Sequence, residues 1–170
     1  KIGWKQDLPG LEVQITTNGI FFFRKELKQQ DQGDLFPELE ITLIPERWHL
    51  LPGLNLQIGL FSKPVSTSSI LWFTEFDADQ VARLEGHLVC RLRRPGDRMY
   101  FRRVGHKHIK KIFQEYKIPA EQRNKYPVIA YDNEILWIPG LCRSDSLLPA
   151  KTSSAKFYAA IKGPDSELIS

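Results

Sequence analysis

Apolar residues in this chain recur mostly at a period of two, in short runs about ten residues apart, which is the rhythm of a β-rich protein. Leu54, Leu56, Ile58 and Leu60 alternate strictly with polar or small residues and predict a strand that lines a core. Pro52-Gly53 before it and Lys63-Pro64 after it supply the breaks. Further strands are predicted at residues 40–44, 70–73 and 87–92. In the last of these Leu88, Cys90 and Leu92 alternate with Val89, Arg91 and Arg93, so that two arginines share a face. Residues 127–131 and 135–138 flank Asp132-Asn133-Glu134 as a hairpin whose strongly apolar arms call for cover on both faces. Residues 157–161 predict one more strand.

The period changes once. Ile109, Ile112, Phe113 and Tyr116 fall at i, i+3, i+4 and i+7 and predict an amphipathic helix between Gly105 and Pro119, where proline ends it. Lys107, Lys110, Lys111 and Lys117 then lie on the side away from the apolar stripe. Near the start, the runs at 12–15 and 20–23 read as a hairpin turning at Asn18-Gly19. The polar stretch 28–33 is the best linker candidate. Residues 1–34 are therefore read as the tail of a preceding domain with its linker, and 35–170 as a second domain. The expected fold class is α+β: a β-rich domain with mixed or antiparallel strands and one main amphipathic basic helix.

Charge sharpens this picture. Between Arg91 and Tyr126 twelve Lys and Arg face three Asp and Glu, a local +9, while the rest of the chain, with twelve bases and seventeen acids, carries −5. Such concentration makes a local positive field that attracts a polyanion, although a solvated basic face without a ligand has the same composition. Leu92-Arg93-Arg94-Pro95-Gly96-Asp97-Arg98 joins strand, turn and charge: Pro and Gly favour a tight reversal, and Asp97 either caps the turn or pairs with a flanking arginine. The segment then either presents Arg93, Arg94 and Arg98 to phosphate oxygens or is an ordinary turn with a surface ion pair.

Other chemistry is sparse. His106 and His108 stand two apart without a carboxylate or thiol at metal-ligand spacing, and Glu75, Asp77 and Asp79 lack the glycine and terminal Glu of a calcium loop, so a solvated loop or helix start is the better reading. No Gly-rich phosphate loop and no nucleophile elbow occurs. Cys90 and Cys142 stand far apart and fit reduced thiols of a bacterial cytoplasm. No apolar run approaches the roughly 18 to 20 residues of a membrane span. The tryptophans, in apolar contexts, are assigned to packing. Lys1 in place of Met reads as the start of a fragment.

Residues 93–98 (Arg-Arg-Pro-Gly-Asp-Arg), Gly105-His106-Lys107-His108-Ile109-Lys110-Lys111-Ile112-Phe113-Gln114-Glu115, Ile118-Pro119, Arg123, Pro127-Val128 and Trp137-Ile138-Pro139-Gly140 together resemble, in order and spacing, the C-terminal domain of bacterial tRNA(Ile)-lysidine synthetases. The close likeness covers residues 88–145. It departs at Ala120 and Glu121, where Pro and an aromatic residue are expected. The resemblance implies an α+β fold like a domain of the phenylalanyl-tRNA synthetase β subunit. It also implies a parent ligase that activates C2 of the wobble cytidine of a CAU-anticodon isoleucine tRNA with ATP and Mg2+ and joins lysine to it. In that family the adenylating chemistry belongs to an N-terminal domain with a Ser-Gly-Gly-x-Asp-Ser motif, which this sequence lacks. The resemblance gives this part no catalytic residue, cofactor or metal of its own, and gives it the acceptor-stem side of the tRNA and the catalytic domain as partners. A tRNA-contact role is carried to Arg93, Arg94, Arg98, Lys107, Lys110, Lys111 and Arg123, with Arg98 and Arg123 equally suited to pairing with Asp97 or nearby carbonyls. The rival reading is an interaction module that docks on the parent's other domains.

Overall fold

The structure is a computed structural model that describes residues 39–66 and 68–163 together with three N-terminal strands, Lys5–Leu8 (β1), Leu11–Thr16 (β2) and Gly19–Arg24 (β3). The chain divides into two compact units, Lys1–Glu38 and Leu39–Ser170. In the first, β1, β2 and β3 form an antiparallel sheet in that order, with Thr16 paired to Gly19. Asn18 of the expected turn and the linker candidate 28–33 lie outside the described residues.

The second unit holds two sheets. A four-stranded antiparallel sheet has the order β5-β6-β14-β7, built from Arg47–Leu51 (β5), Leu56–Phe61 (β6), Ile70–Asp77 (β7) and Lys156–Lys162 (β14). The alternation expected around Ile58 holds. Ile58 and Leu60 are fully buried, Leu54 and Leu56 pack on the same core, and Pro52-Gly53 belongs to the turn that returns β5 to β6. The other sheet runs β10-β9-β12-β11-β8-β4, with β13 beside β12. Its strands are Glu40–Thr42 (β4), Val89–Leu92 (β8), Arg98–Phe101 (β9), Gly105–His108 (β10), Pro127–Tyr131 (β11), Glu134–Ile138 (β12) and Cys142–Arg143 (β13). Every described pairing is antiparallel except β12 with β9, which makes the sheet mixed.

One apolar cluster draws on both sheets: Leu51, Ile58, Leu60, Phe76, Ala159 and Ile161 from one, Cys90, Ile129, Leu136 and Trp137 from the other. Arg143 ties them further, donating to the Thr74 hydroxyl and the Glu75 carbonyl while lying 5.3 Å from the Phe76 ring. The β11–β12 hairpin is buried along nearly its whole length, as its apolar arms required. Its pairing jumps from Ile129–Trp137 to Ala130–Ile135, so Leu136 is a bulge residue.

Among the described residues three short helices complete the unit: Ala78–Ala82 (α1), Ile109–Glu115 (α2) and Ala120–Arg123 (α3). Asp77 ends β7 and caps α1 by accepting from Gln80 N, so Asp77 and Asp79 form a helix start while Glu75 stays in β7 and pairs with Lys156. Helix α2 buries Ile109, Ile112 and Phe113, the apolar stripe read from the sequence, and Phe113 meets Tyr126 at 5.3 Å between ring centroids. The expected helix is too long at its N-terminal end. Residues 105–108 instead pair with β9 from Gly105–Phe101 to His108–Arg98, which moves Lys107 from the helix onto a strand. Lys117 follows α2 with a φ of 55°, outside the helix. Ala120 and Glu121, where the sequence departs from the family pattern, are exposed in α3, so the departure removes no core packing.

Candidate nucleic-acid interface

The basic region is assembled around one buried ion pair. Strand β8 places Arg91 under the sheet surface, where its side chain is 1% exposed, and the Asp97 side chain is 0% exposed. The guanidinium meets the carboxylate through two hydrogen bonds, of 2.9 and 2.8 Å, and also donates to the carbonyls of Leu92 and Asp132. Asp97 is brought there by the reversal at Pro95-Gly96: its N–H donates to Arg94 O at 3.2 Å, Gly96 takes a φ of 88°, and the Arg94 N–H donates back to the carboxylate at 2.6 Å. Proline and glycine at the two central positions are what a type II turn demands. The Asp97 carbonyl then accepts from Ile109 N at the start of α2, and Arg98 N donates to Asn133 O in the β11–β12 turn. One buried pair thus locks turn, helix and hairpin into a rigid support. Arg91, counted with the basic cluster in the sequence, is part of this support and not of the surface.

The seven basic residues carried over from the family separate into two groups. Four have their heads engaged. Arg93 donates to Asn124 at 2.6 Å, Arg94 pairs with Glu40, Lys107 pairs with Glu115 at 2.9 Å and lies 5.5 Å from the Phe101 ring, and Arg123 donates to the Ile118 carbonyl at 2.7 Å. Three stand more open. Arg98 is exposed, and its ion pair with Glu134 is long, at 3.4 Å, and shares the carboxylate oxygen with His106 at 3.2 Å. Lys110 and Lys111, in the first turn of α2, are exposed and make no ion pair among the described residues. Cations in the first turn oppose the helix dipole at a cost of about 0.3–1 kcal/mol each. No acid offsets them there, and the N-cap His108 makes no side-chain capping bond. Neither lysine therefore helps to hold the helix.

Two further cations were counted in the sequence but not singled out. Arg102 and Arg103 occupy the turn between β9 and β10, which closes by Val104 N donating to Phe101 O at 3.0 Å and by Gly105 at a φ of 82°. Both arginines are exposed and their side chains have no partner among the described residues. The signal was an aromatic strand end followed by Arg-Arg-x-Gly, a hairpin that becomes visible only once β10 is known to be a strand.

The titratable groups nearby offer no activated nucleophile. Burial pushes the Cys90 thiol up to about 12 and the Cys142 thiol up to about 11, so both are protonated at neutral pH. Burial also raises Tyr116 and Tyr126. Among the described residues no group of three or more His, Cys, Asp and Glu is placed to hold a metal ion. What this surface offers is positive charge on a rigid frame.

Residues 88–156 match the family described as the TilS substrate C-terminal domain. The chain is 42% identical over 147 residues to a tRNA(Ile)-lysidine synthase of Clostridium acetobutylicum, an alignment covering 82% of this chain and 31% of that protein. It is 31% identical over 119 residues to a bifunctional protein TilS/HprT of Listeria monocytogenes, covering 69% of this chain and 17% of the other. The chain thus spans a third or less of the length of these relatives. The crystal structure of a TilS C-terminal domain superposes with a TM-score of 0.59 and 26% identity, covering 98% of that domain and 75% of this chain. Fold, motif order and relatives agree, and the chain belongs, through residues 88–156, to the family of tRNA(Ile)-lysidine synthase C-terminal domains.

Proposed function

We propose that the unit Leu39–Ser170 holds tRNA for a tRNA(Ile)-lysidine synthase, presenting Arg98, Lys110 and Lys111 to phosphates while the ligase chemistry takes place elsewhere in the parent protein. The observation that carries this reading is the pair Lys110 and Lys111: exposed, unpaired among the described residues and set where they cost helix stability. Charge kept at a cost to the fold points to a ligand. The names of the relatives, tRNA(Ile)-lysidine synthases, support a tRNA as that ligand. Because the support beneath is rigid, the contacts fix register and orientation and read shape more than base identity. Arg93, Arg94, Lys107 and Arg123 contribute by shaping the surface through their own bonds, adding long-range field in place of direct contacts. ATP and Mg2+ belong to the parent's N-terminal domain in this reading, as the family resemblance implies, and the adenylating motif of that domain does not occur in these 170 residues.

The test is fluorescence anisotropy of labelled isoleucine tRNA titrated with the chain and with a variant carrying Arg98→Glu, Lys110→Glu and Lys111→Glu. The expected result is binding by the wild type and its loss in the variant, with unchanged thermal unfolding. Equal behaviour of the two proteins rejects the reading and leaves the basic face to docking on another part of the parent.

A further inference from the structure

The tip of the β9–β10 hairpin forms an open cleft of about 440 Å³, lined by Phe101, Arg102, Arg103, Val104, Lys107 and Leu148, with Asp145 at its wall. That volume lies in the range of about 300–1,000 Å³ usual for small-ligand sites. Its composition is unusual for a solvent-facing turn. Val104 is 67% and Leu148 38% exposed, two large apolar groups left in water. Beside them stand the two arginines whose side chains have no described partner. The acid at the wall is turned to the backbone and not to their guanidinium groups: the Asp145 carboxylate accepts from Arg102 N at 2.8 Å, and its own N–H donates to Tyr100 O at 3.0 Å. Asp145 thereby pins the hairpin to the segment carrying Leu148, so the cleft is built by hydrogen bonds and not by a loose loop.

We propose that this cleft is a subsite for one unpaired nucleotide of a bound RNA. The base lies on the apolar surface of Val104, Leu148 and Phe101, and its flanking phosphates meet Arg102 and Arg103. Each part answers one part of a nucleotide. A base is a flat face that gains from leaving water, guanidinium groups stack on it or grip phosphate bidentately, and a purely duplex ligand presents no such face. A simple anion would have no use for the apolar surface, and an apolar peptide none for a cleft in which Arg102, Arg103 and Lys107 outnumber the single acid Asp145. The proposal rests on the RNA-binding reading above but uses different residues, so the two can fail separately.

The experiment uses the whole chain and two RNA duplexes, each of two separate strands and with the same paired sequence, one blunt at both ends and one ending in a short single-stranded run of adenines, followed by anisotropy at fixed salt. One stacked base of ordinary strength corresponds to roughly tenfold in affinity, which is the preference expected for the overhanging RNA. The double variant Val104→Ser with Leu148→Ser, both exposed positions, is expected to abolish that preference while keeping the wild-type affinity for the blunt RNA. Arg102→Gln with Arg103→Gln is expected to weaken the overhanging RNA selectively. Equal binding of the two RNAs by the wild type, or a preference that survives Val104→Ser with Leu148→Ser, overturns the subsite and leaves the RNA-binding reading intact. Failure of both RNAs to bind overturns both.

Discussion

Removing the Asp97 carboxylate, as in Asp97→Ala, leaves the Arg91 guanidinium buried at 1% exposure without its counter-charge. Three described hydrogen bonds disappear with it, two from Arg91 and one from the Arg94 N–H. Breaking a buried pair from one side typically costs about 3–5 kcal/mol, because the remaining charge has neither water nor partner. With a urea slope of about 2 kcal/mol/M for a domain of this size, the unfolding midpoint falls by roughly 2 M. Replacing both residues by apolar ones, Arg91→Met with Asp97→Leu, removes the stranded charge. It still orphans the Leu92 and Asp132 carbonyls that Arg91 serves, but both bonds are only part-buried, so each loss falls at the low end, about 1 kcal/mol, of the range for an unsatisfied buried group. The double variant should therefore be more stable than Asp97→Ala alone. Urea unfolding followed by tryptophan fluorescence, arranged as a double-mutant cycle, measures both terms. An Asp97→Ala midpoint within about 0.5 M of the wild type, or a double variant less stable than the single one, would refute the claim that this pair anchors the basic surface.

Further expectations follow from burial and capping. Cys90 and Cys142, held at about 12 and about 11, should resist a thiol reagent at neutral pH in the folded protein and react once urea unfolds it, and rapid labelling of either in native buffer would contradict the structure. Asp77 has its pKa lowered chiefly by the Ser153 hydroxyl and then by the Gln80 N–H, so its contribution to stability is complete above about pH 4 and is lost as pH falls through the lowered folded value. Asp77→Asn should accordingly be less stable than the wild type at pH 6, with the gap narrowing at pH values near 2, and a gap that widens on acidification would show the sign to be wrong. Phe113→Ala empties a fully buried site on α2 and should cost about 3–5 kcal/mol by chemical denaturation, whereas a loss under about 1 kcal/mol would mean that α2 is not packed as described.

The elements legible in the sequence were those whose burial pattern is local. β6 shows the alternation of a half-buried strand, β11 and β12 show the continuous apolar runs of strands covered on both faces, and α2 shows a stripe at helical spacing. Residues 105–108 were misread because Gly-His-Lys-His carries no apolar alternation. They are a strand only because β9 lies beside them and Gly105 supplies the left-handed turn. β5, β9 and β13 are short and mix polar with apolar residues, so their identity comes from the strands they pair with, β6 for the first and β12 for the other two. The same limit governed the site. The reversal read from Pro95-Gly96 is present, but a count of charges does not show pairing. Arg91 went under the surface with Asp97, and Arg93, Arg94, Lys107 and Arg123 found partners, three of them on other elements. Arg102 and Arg103 became prominent only when the hairpin that carries them was seen.

The central claim is that Lys110 and Lys111 meet phosphate, and the salt dependence of binding tests it most directly. Each phosphate contact contributes close to one unit to the slope of log affinity against log salt. Isoleucine tRNA should therefore be titrated with the chain over a range of salt, beside Lys110→Ala with Lys111→Ala and beside Arg123→Lys, whose bond to the Ile118 carbonyl assigns it to the fold. The account predicts a slope shallower by about two units for the double lysine variant and an unchanged slope for Arg123→Lys. A slope that is the same in all three proteins would contradict it.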